Sequence, residues 1–343
     1  MKIFVILIIL ILSISCATKG SKATGSQATP LWMTNLEAEF PNSRYLAATG
    51  SGDSRRRAQE DAAAFLAQQF TVNIKVDTLA QQKYVELVRN DTSYSESELI
   101  LTHIIGARAD EELINLRFSD AYTDRSGITH VVGYIERQPT SLIYRDLIRK
   151  DLAKAEEFYG RANSATGSLR RYAFYDAAYT VKLNAERMLN QLRIIFPPMV
   201  PMLEMDFNFR KIAEARDREA ENLSYSISIT GDNNGRIAGT IRETMSEQSI
   251  SYNPNNATMV FRGDWSVSPV SVNPNFKSVQ WTANISLFDD SGATIATFFR
   301  SARENAITEE QAEIFAYREF QRQLSRDLGR DIQSYLTRVV TGR

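Results

Sequence analysis

The 343-residue sequence holds one cysteine and two histidines. A lone thiol forms no internal disulfide, so the folded part must be held by its cores alone. The histidines, His103 and His130, lie far apart with no cysteine or paired carboxylate at ligand spacing, which argues against a zinc site. Neither sign of charge dominates: Lys plus Arg is 40 and Asp plus Glu is 41, so no global field draws the chain to nucleic acid or a bare anionic surface. Long apolar runs are missing too. The run from Ile3 to Leu12 is about half of the ~20 residues a helix needs to cross a hydrocarbon core.

That short run, preceded by Lys2 and followed by Ser13, Ser15 and Cys16, has the pattern of a secretory signal ending in a bacterial lipobox. The usual motif has Leu three positions before the cysteine. Here Ser13 stands there, with Leu12 one place further back, the relaxed form of spirochaete-type lipoboxes. Residues 1–15 are therefore expected to be cleaved, with a diacylglyceryl group on Cys16, which also accounts for the odd thiol. Residues 16–30, "CATKGSKATGSQATP", are small, polar and aperiodic and predict a flexible tether.

The rest predicts an α+β fold of two small α+β domains joined by a long αα-hairpin. Residues 31–138 form the first domain. A strand at "YLAATG" leads to a helix with Asp53 or Ser54 as its cap and Ala58, Ala62, Phe65, Leu66 and Gln69 on one face. Val72, Ile74 and Val76 alternate as a strand, and a polar helix follows at about 79–90. A hairpin then turns on "DRSG", where Gly127 suits a left-handed position. Residues 139–196 hold two helical patterns, and the second aligns Tyr172, Tyr175, Ala178, Val181, Ala185, Leu189 and Leu192. Residues 197–343 are the second domain, with strands near 223–230, 257–271, 278–288 and 293–302 and a helix at 236–247. A long final helix opens on the capping box Thr308–Gln311. Its hairpin "DDSG" echoes "DRSG", both inside Asp-x-Ser-Gly-x-Thr, a repeat that hairpin chemistry alone can produce.

The stretch "YLAATGSGDSRRRAQEDAAAFLAQQF" has the outline of a phosphate-binding strand–turn–helix, but its parts are incomplete. Arg55 replaces the third glycine of a dinucleotide fingerprint, and no Walker lysine is present. Gly50 and Gly52 are expected to serve backbone reversal, and small residues at Ala58 and Ala62 to let the helix lie close on a sheet. Arg55, Arg56 and Arg57 oppose the helix dipole in its first turn. A bound anion or neighbouring carboxylates would offset them.

With "LRFSDAYTDRSGITHVVGYIER", this stretch resembles the Lpp-twenty type of bacterial lipoprotein over about residues 31–138. That family includes membrane-associated antigens and flagellar basal-disc lipoproteins. His130 and Val131 stand where tyrosine is common. The resemblance implies a structural motif and carries over no catalytic residue.

The search for chemistry finds little. Gly-x-Ser-x-Gly is absent, Asp289–Asp290 falls in a turn, and Glu309–Glu310 falls in a first helical turn. No catalytic set, metal or cofactor is expected. Two surfaces are legible. Arg318, Arg322, Arg326 and Arg330 repeat every four residues on the face of the last helix opposite its apolar stripe, partly compensated by Asp327 and Asp331. Tyr172, Tyr175 and Tyr179 form a row that suits a core or a partner stripe. The expected function is a non-catalytic scaffold or accessory factor in an envelope assembly, flagellar or cell-wall-synthesising. The expected location is the outer membrane, facing the periplasm. The expected partners are the membrane through Cys16 and an envelope protein complex or cell-wall polymer, with no nucleic acid or nucleotide. The alternative is an envelope enzyme acting on cell-wall polymer.

Overall fold

The computed structural model describes residues 28–71, 78–89, 94–96, 113–205, 209–273 and 276–342. The predicted strand at Val72–Val76, Cys16 and His103 lie outside these residues. Helices and open sheets both occur, as an α+β fold requires.

Two short helical turns, α1 (Leu31–Thr34) and α2 (Leu36–Glu39), lead into β1 (Tyr45–Gly52), then α3 (Arg55–Thr71) and α4 (Thr78–Arg89). Strands β2 (Arg117–Phe118), β3 (Tyr122–Thr123) and β4 (Thr129–Glu136) complete an antiparallel sheet in which β1 pairs with β4 along its whole length. The predicted single strand before the "DRSG" turn is thus two short pieces. Between them Ser119 bonds Val132 twice: its amide donates to the Val132 carbonyl and its Oγ accepts from the Val132 amide, both at 2.9 Å. Helix α3 lies on this sheet through Ala58, Ala62, Leu66, Ala67 and Phe70, all buried, whereas Phe65 and Gln69 of the predicted face are exposed.

The αα-hairpin is α5 (Arg137–Ser164) and α6 (Ser168–Ile195). Pro139 sits in the first turn of α5, where its missing N–H costs no helical bond. Arg137 staples the hairpin's two open ends to β1. Its guanidinium donates to the carbonyls of Asn42 and Tyr45 and, at 2.8 and 2.7 Å, to those of Ile194 and Ile195 at the end of α6. These terminal carbonyls have no intrahelical partner, and a cation there also suits the dipole.

After a 3-10 turn (Pro197–Met199), helices α7 (Val200–Met205) and α8 (Phe209–Glu221) follow. Sequence reading missed α8, which packs on α6 by burying Ile212 and Ala215. The last unit has β5 (Ser224–Thr230), α9 (Arg236–Glu247), β6 (Ser251–Tyr252), β7 (Met259–Asn273), β8 (Phe276–Asp289), β9 (Thr294–Ala306) and α10 (Glu309–Thr341). The sheet order is β6-β5-β7-β8-β9, with β5 parallel to β6 and β7 and the other pairs antiparallel. One side is core: Phe261, Trp265, Trp281, Ile285 and Leu287 pack under α10. The capping box holds, with the Gln311 amide donating to Thr308 Oγ1 at 3.2 Å.

The hairpin belongs to two cores. Ile148, Leu152, Ala185, Met188 and Leu192 join the first sheet's core, while Ala155, Phe158, Ala173, Ala178 and Val181 join the core of the second sheet and α10.

Candidate functional site

The glycine-rich end of β1 is a packing device. Gly50 and Gly52 lie within the strand rather than in a turn, and neither is among the residues with positive φ. What they provide is space. A Cβ on Gly50 would stand 2.2 Å from the Ala58 carbonyl oxygen and the Ala62 nitrogen, so helix α3 rests directly on bare backbone. The expected reversal is corrected accordingly: glycine is needed for close approach, not for a left-handed bend. The amide of Ser51 donates to Asp61 Oδ2 at 2.9 Å, and Arg56 and Arg57 pair with Glu60 at 3.0 and 3.4 Å. Carboxylates of the chain itself thus occupy the amide and offset the cations where a phosphate would sit. Ser54 caps α3 weakly, its Oγ accepting from Arg57 N at 3.4 Å.

The arginine row lies on the solvent side of α10, with Arg318, Arg322, Arg326 and Arg330 all exposed. Arg322 forks onto Glu319 at 2.7–3.1 Å, and Arg326 forks onto Asp327 at 2.9 Å. Arg330 reaches Asp327 and Asp331 at 3.1 and 3.3 Å. Hydrogen bonds from these arginines hold the Glu319 and Asp327 carboxyls below their usual range. Such exposed pairs are worth about 0–1 kcal/mol each, so the row adds little to folding.

The tyrosine row is largely internal. Tyr175 is buried and bonds Asn163 at 2.8 Å, and Tyr172 and Tyr179 are half-buried, with Arg216 over both rings. Beside them is a pocket of about 300 Å³ whose wall includes Lys83, Asp176 and Arg216. Asp176 is buried between the two cations, bonded to Lys83 through one oxygen and to Arg216 at 3.0 Å through the other. Core packing is therefore the main role of this row.

Sequence reading missed a polar layer between the two cores. Asp151 is 1% exposed and accepts from Tyr84 and Tyr94 at 2.9 Å and from Asn184 at 2.7 Å. Burial pushes its carboxyl up to about 6, against the pull of these bonds and of Arg187. Arg187 bonds Asn184 and Gln81, and burial lowers it to about 10. Tyrosines 84 and 94 come from segments far from the hairpin in sequence, so no local pattern announces the layer. A charged residue amid the apolar positions of α5 is its one local trace.

The two Asp-x-Ser-Gly turns have the same anatomy. Asp124 Oδ1 accepts from Ser126 N, Ser126 Oγ and Ile128 N at 2.6–3.1 Å, and Asp289 Oδ1 does the same with Ser291 and Ala293 at 2.7–2.9 Å. Gly127 and Gly292 take φ of 89° and 85°, which L side chains rarely adopt. The free oxygens differ: Asp124 Oδ2 meets His130 Nε2 at 3.0 Å, and Asp289 Oδ2 meets Tyr335 at 2.5 Å. Asp290 reaches across to accept from Ser168 N at 3.0 Å, capping α6. His130 and the Asp289–Asp290 pair therefore have structural work. The two sheets differ in topology, β1 lying beside β4 but β5 beside β7, so the repeat is one of turn chemistry.

Among the described residues no group of three His, Cys, Asp or Glu side chains is placed to hold a metal ion, and no helix is long and apolar enough to cross a membrane. Among the described residues, the arginine row and the β9 edge of the second sheet lie at the surface.

Residues 30–135 match the LPP20 lipoprotein family. The resemblance seen in the sequence is thus shown for the N-terminal module, which the match associates with envelope lipoproteins. The hairpin and the second sheet lie beyond it. A minor lipoprotein from Acinetobacter baumannii is similar in structure over 32% of this chain and 90% of that chain, at 16% identity and a TM-score of 0.26. A secreted protein from the human pathogen Helicobacter pylori is similar over 85% of this chain and 97% of that one, at 10% identity and a TM-score of 0.42. No curated protein matches the chain.

Proposed function

We propose that this chain is a lipid-anchored, non-catalytic envelope protein that serves as a scaffold or accessory factor in an envelope assembly. Flagellar and cell-wall-synthesising complexes are the assemblies in view. The proposed site is the outer membrane, facing the periplasm, with the acyl group on Cys16 as anchor. The observation that carries the reading is the LPP20 match over residues 30–135. It is supported by the use of Asp61, Asp124, Asp151, Asp176 and Asp289 in holding the fold together.

The partner surface proposed is the row Arg318, Arg322, Arg326 and Arg330. Its cations are exposed, and Arg322, Arg326 and Arg330 are tied to carboxylates by ion pairs that a more acidic surface would displace. Crosslinking in intact cells followed by identification of the bound proteins tests the proposal. With Arg322→Glu and Arg326→Glu together, the melting temperature should hold, while recovery of partners falls and becomes more salt-sensitive. Recovery of the same partners at the same yield would reduce the row to a solvated face.

A further inference from the structure

The two edges of the second sheet are treated very differently. On one side β6 is two residues long, a blunt end that offers no template. On the other, β9 runs for 13 residues with β8 as its sole strand neighbour among the described residues. A strand of that length is about 44 Å of unpaired backbone at 3.4 Å per residue. Soluble proteins usually guard such an edge with proline, lysine, a bulge or a covering segment. Strand β9, "TIATFFRSARENA", has neither proline nor lysine, and its one ladder irregularity lies at the turn end, at Leu287/Phe288 on β8. Among the described residues, no backbone hydrogen bond outside the β8 ladder involves residues 294–306.

We infer that β9 pairs antiparallel with β9 of a second copy of this chain, with Ala302 on the two-fold axis. This register is chosen by the side chains. It sets Arg300 opposite the partner's Glu304, and Glu304 opposite the partner's Arg300, on the side of the sheet that carries α10. Both groups are free to engage: Arg300 is held by one long contact to Glu319 at 3.8 Å, and Glu304 accepts from Trp281 Nε1 at 3.4 Å. On the opposite face the same register brings Phe299 diagonal to the partner's Ile307. Among the described residues these are the two most exposed of the large apolar side chains, at 66% and 79%, and diagonal neighbours lie within reach of an aromatic ring. Other registers lose these matches. Centring on Arg300 or Arg303 sets a cation against itself, and centring on Ser301 sets Glu304 against Phe298. Opposite charges facing across strands stabilise a pair and like charges destabilise it.

The mature chain is otherwise free of cysteine, so a single new thiol reads the register directly in cells. Residues on the two-fold axis of an antiparallel pair have Cα atoms about 4.5–5.5 Å apart, within disulfide range. In the full-length protein, Ala302→Cys should therefore give a disulfide-linked dimer on a non-reducing gel. Ser266→Cys, exposed on β7 two strands inward, and the wild-type chain should not. Adding Arg300→Glu should cut the dimer yield roughly fivefold or more, and adding Glu304→Arg to that variant should restore it. Phe299→Asp, at a solvent-facing position, should also lower the yield while leaving the melting temperature unchanged. A yield from Ala302→Cys no higher than from Ser266→Cys overturns the inference. So does a charge reversal without effect, or a double reversal that fails to restore the dimer.

Discussion

Replacing Asp151 by Asn should change how stability depends on pH more than it changes stability at any one pH. In the folded chain burial raises this carboxyl from 3.8 to about 6. Between those values the native state binds a proton that the unfolded chain has released. Stability contributed by the site is therefore full on the acid side and falls as pH rises through the window. Two pH units at 1.36 kcal/mol each amount to about 3 kcal/mol lost between pH 4 and pH 7. Asn keeps the shape and cannot ionise; with its oxygen toward Tyr84 and Tyr94 its Nδ2 replaces the acceptor of Asn184 Nδ2, a cost that does not vary with pH and leaves the slope comparison intact. Thermal or urea unfolding of both proteins from pH 4 to pH 7 gives the comparison. The gap between them should move by about 3 kcal/mol in favour of the variant as pH rises, about 4–5 °C in midpoint for a body of this size. The carboxyls held low elsewhere, Asp124, Asp289, Asp327 and Glu319, are the same in both proteins and cancel. Parallel pH profiles would show that Asp151 is not buried as an acid, and the polar layer would need another account.

Gly50→Ala should cost more than about 3 kcal/mol, because the new methyl meets the backbone of α3 at 2.2 Å. Gly133→Ala, whose methyl would meet the Ala62 methyl at 3.2 Å, should cost less, and a ranking of the two melting temperatures in the reverse order would refute the close-approach argument. Tyr335→Phe leaves Asp289 Oδ2 without its 2.5 Å donor and should lower stability by about 1–3 kcal/mol in urea titrations. Cys16→Ala should abolish labelling by radioactive fatty acid, and equal labelling of the variant would remove the proposed anchor.

Much of the fold was legible where one face of an element meets one core. The α9 pattern at 236–247, the second hairpin and the capped α10 all carry their signals within a few residues. Gly50 and Gly52 misled because glycine marks both a sharp turn and a place where two backbones touch, and nothing local separates the two. Helix α8 was missed because its charges, such as Arg216 and Glu219, hide a narrow buried stripe of Ile212 and Ala215. Those charges are themselves used across the fold, on Asp176 and Arg171 at 3.0 and 2.9 Å. The Arg137 staple and the Asp151 layer join residues dozens of positions apart, which single-sequence periodicity does not report. The arginine row, by contrast, is where α10's helical spacing put it, facing solvent.

Each helix of the αα-hairpin is 28 residues long, about 42 Å at 1.5 Å per residue. Because one half of it is built into each core, and Arg137 locks its open end to the first sheet, it behaves as a gauge block. The spacing between the two sheets is machined into the chain. A partner that gripped both modules would have to match that spacing. Tension applied through the N-terminal module is delivered to the second sheet as a load on two helices at once.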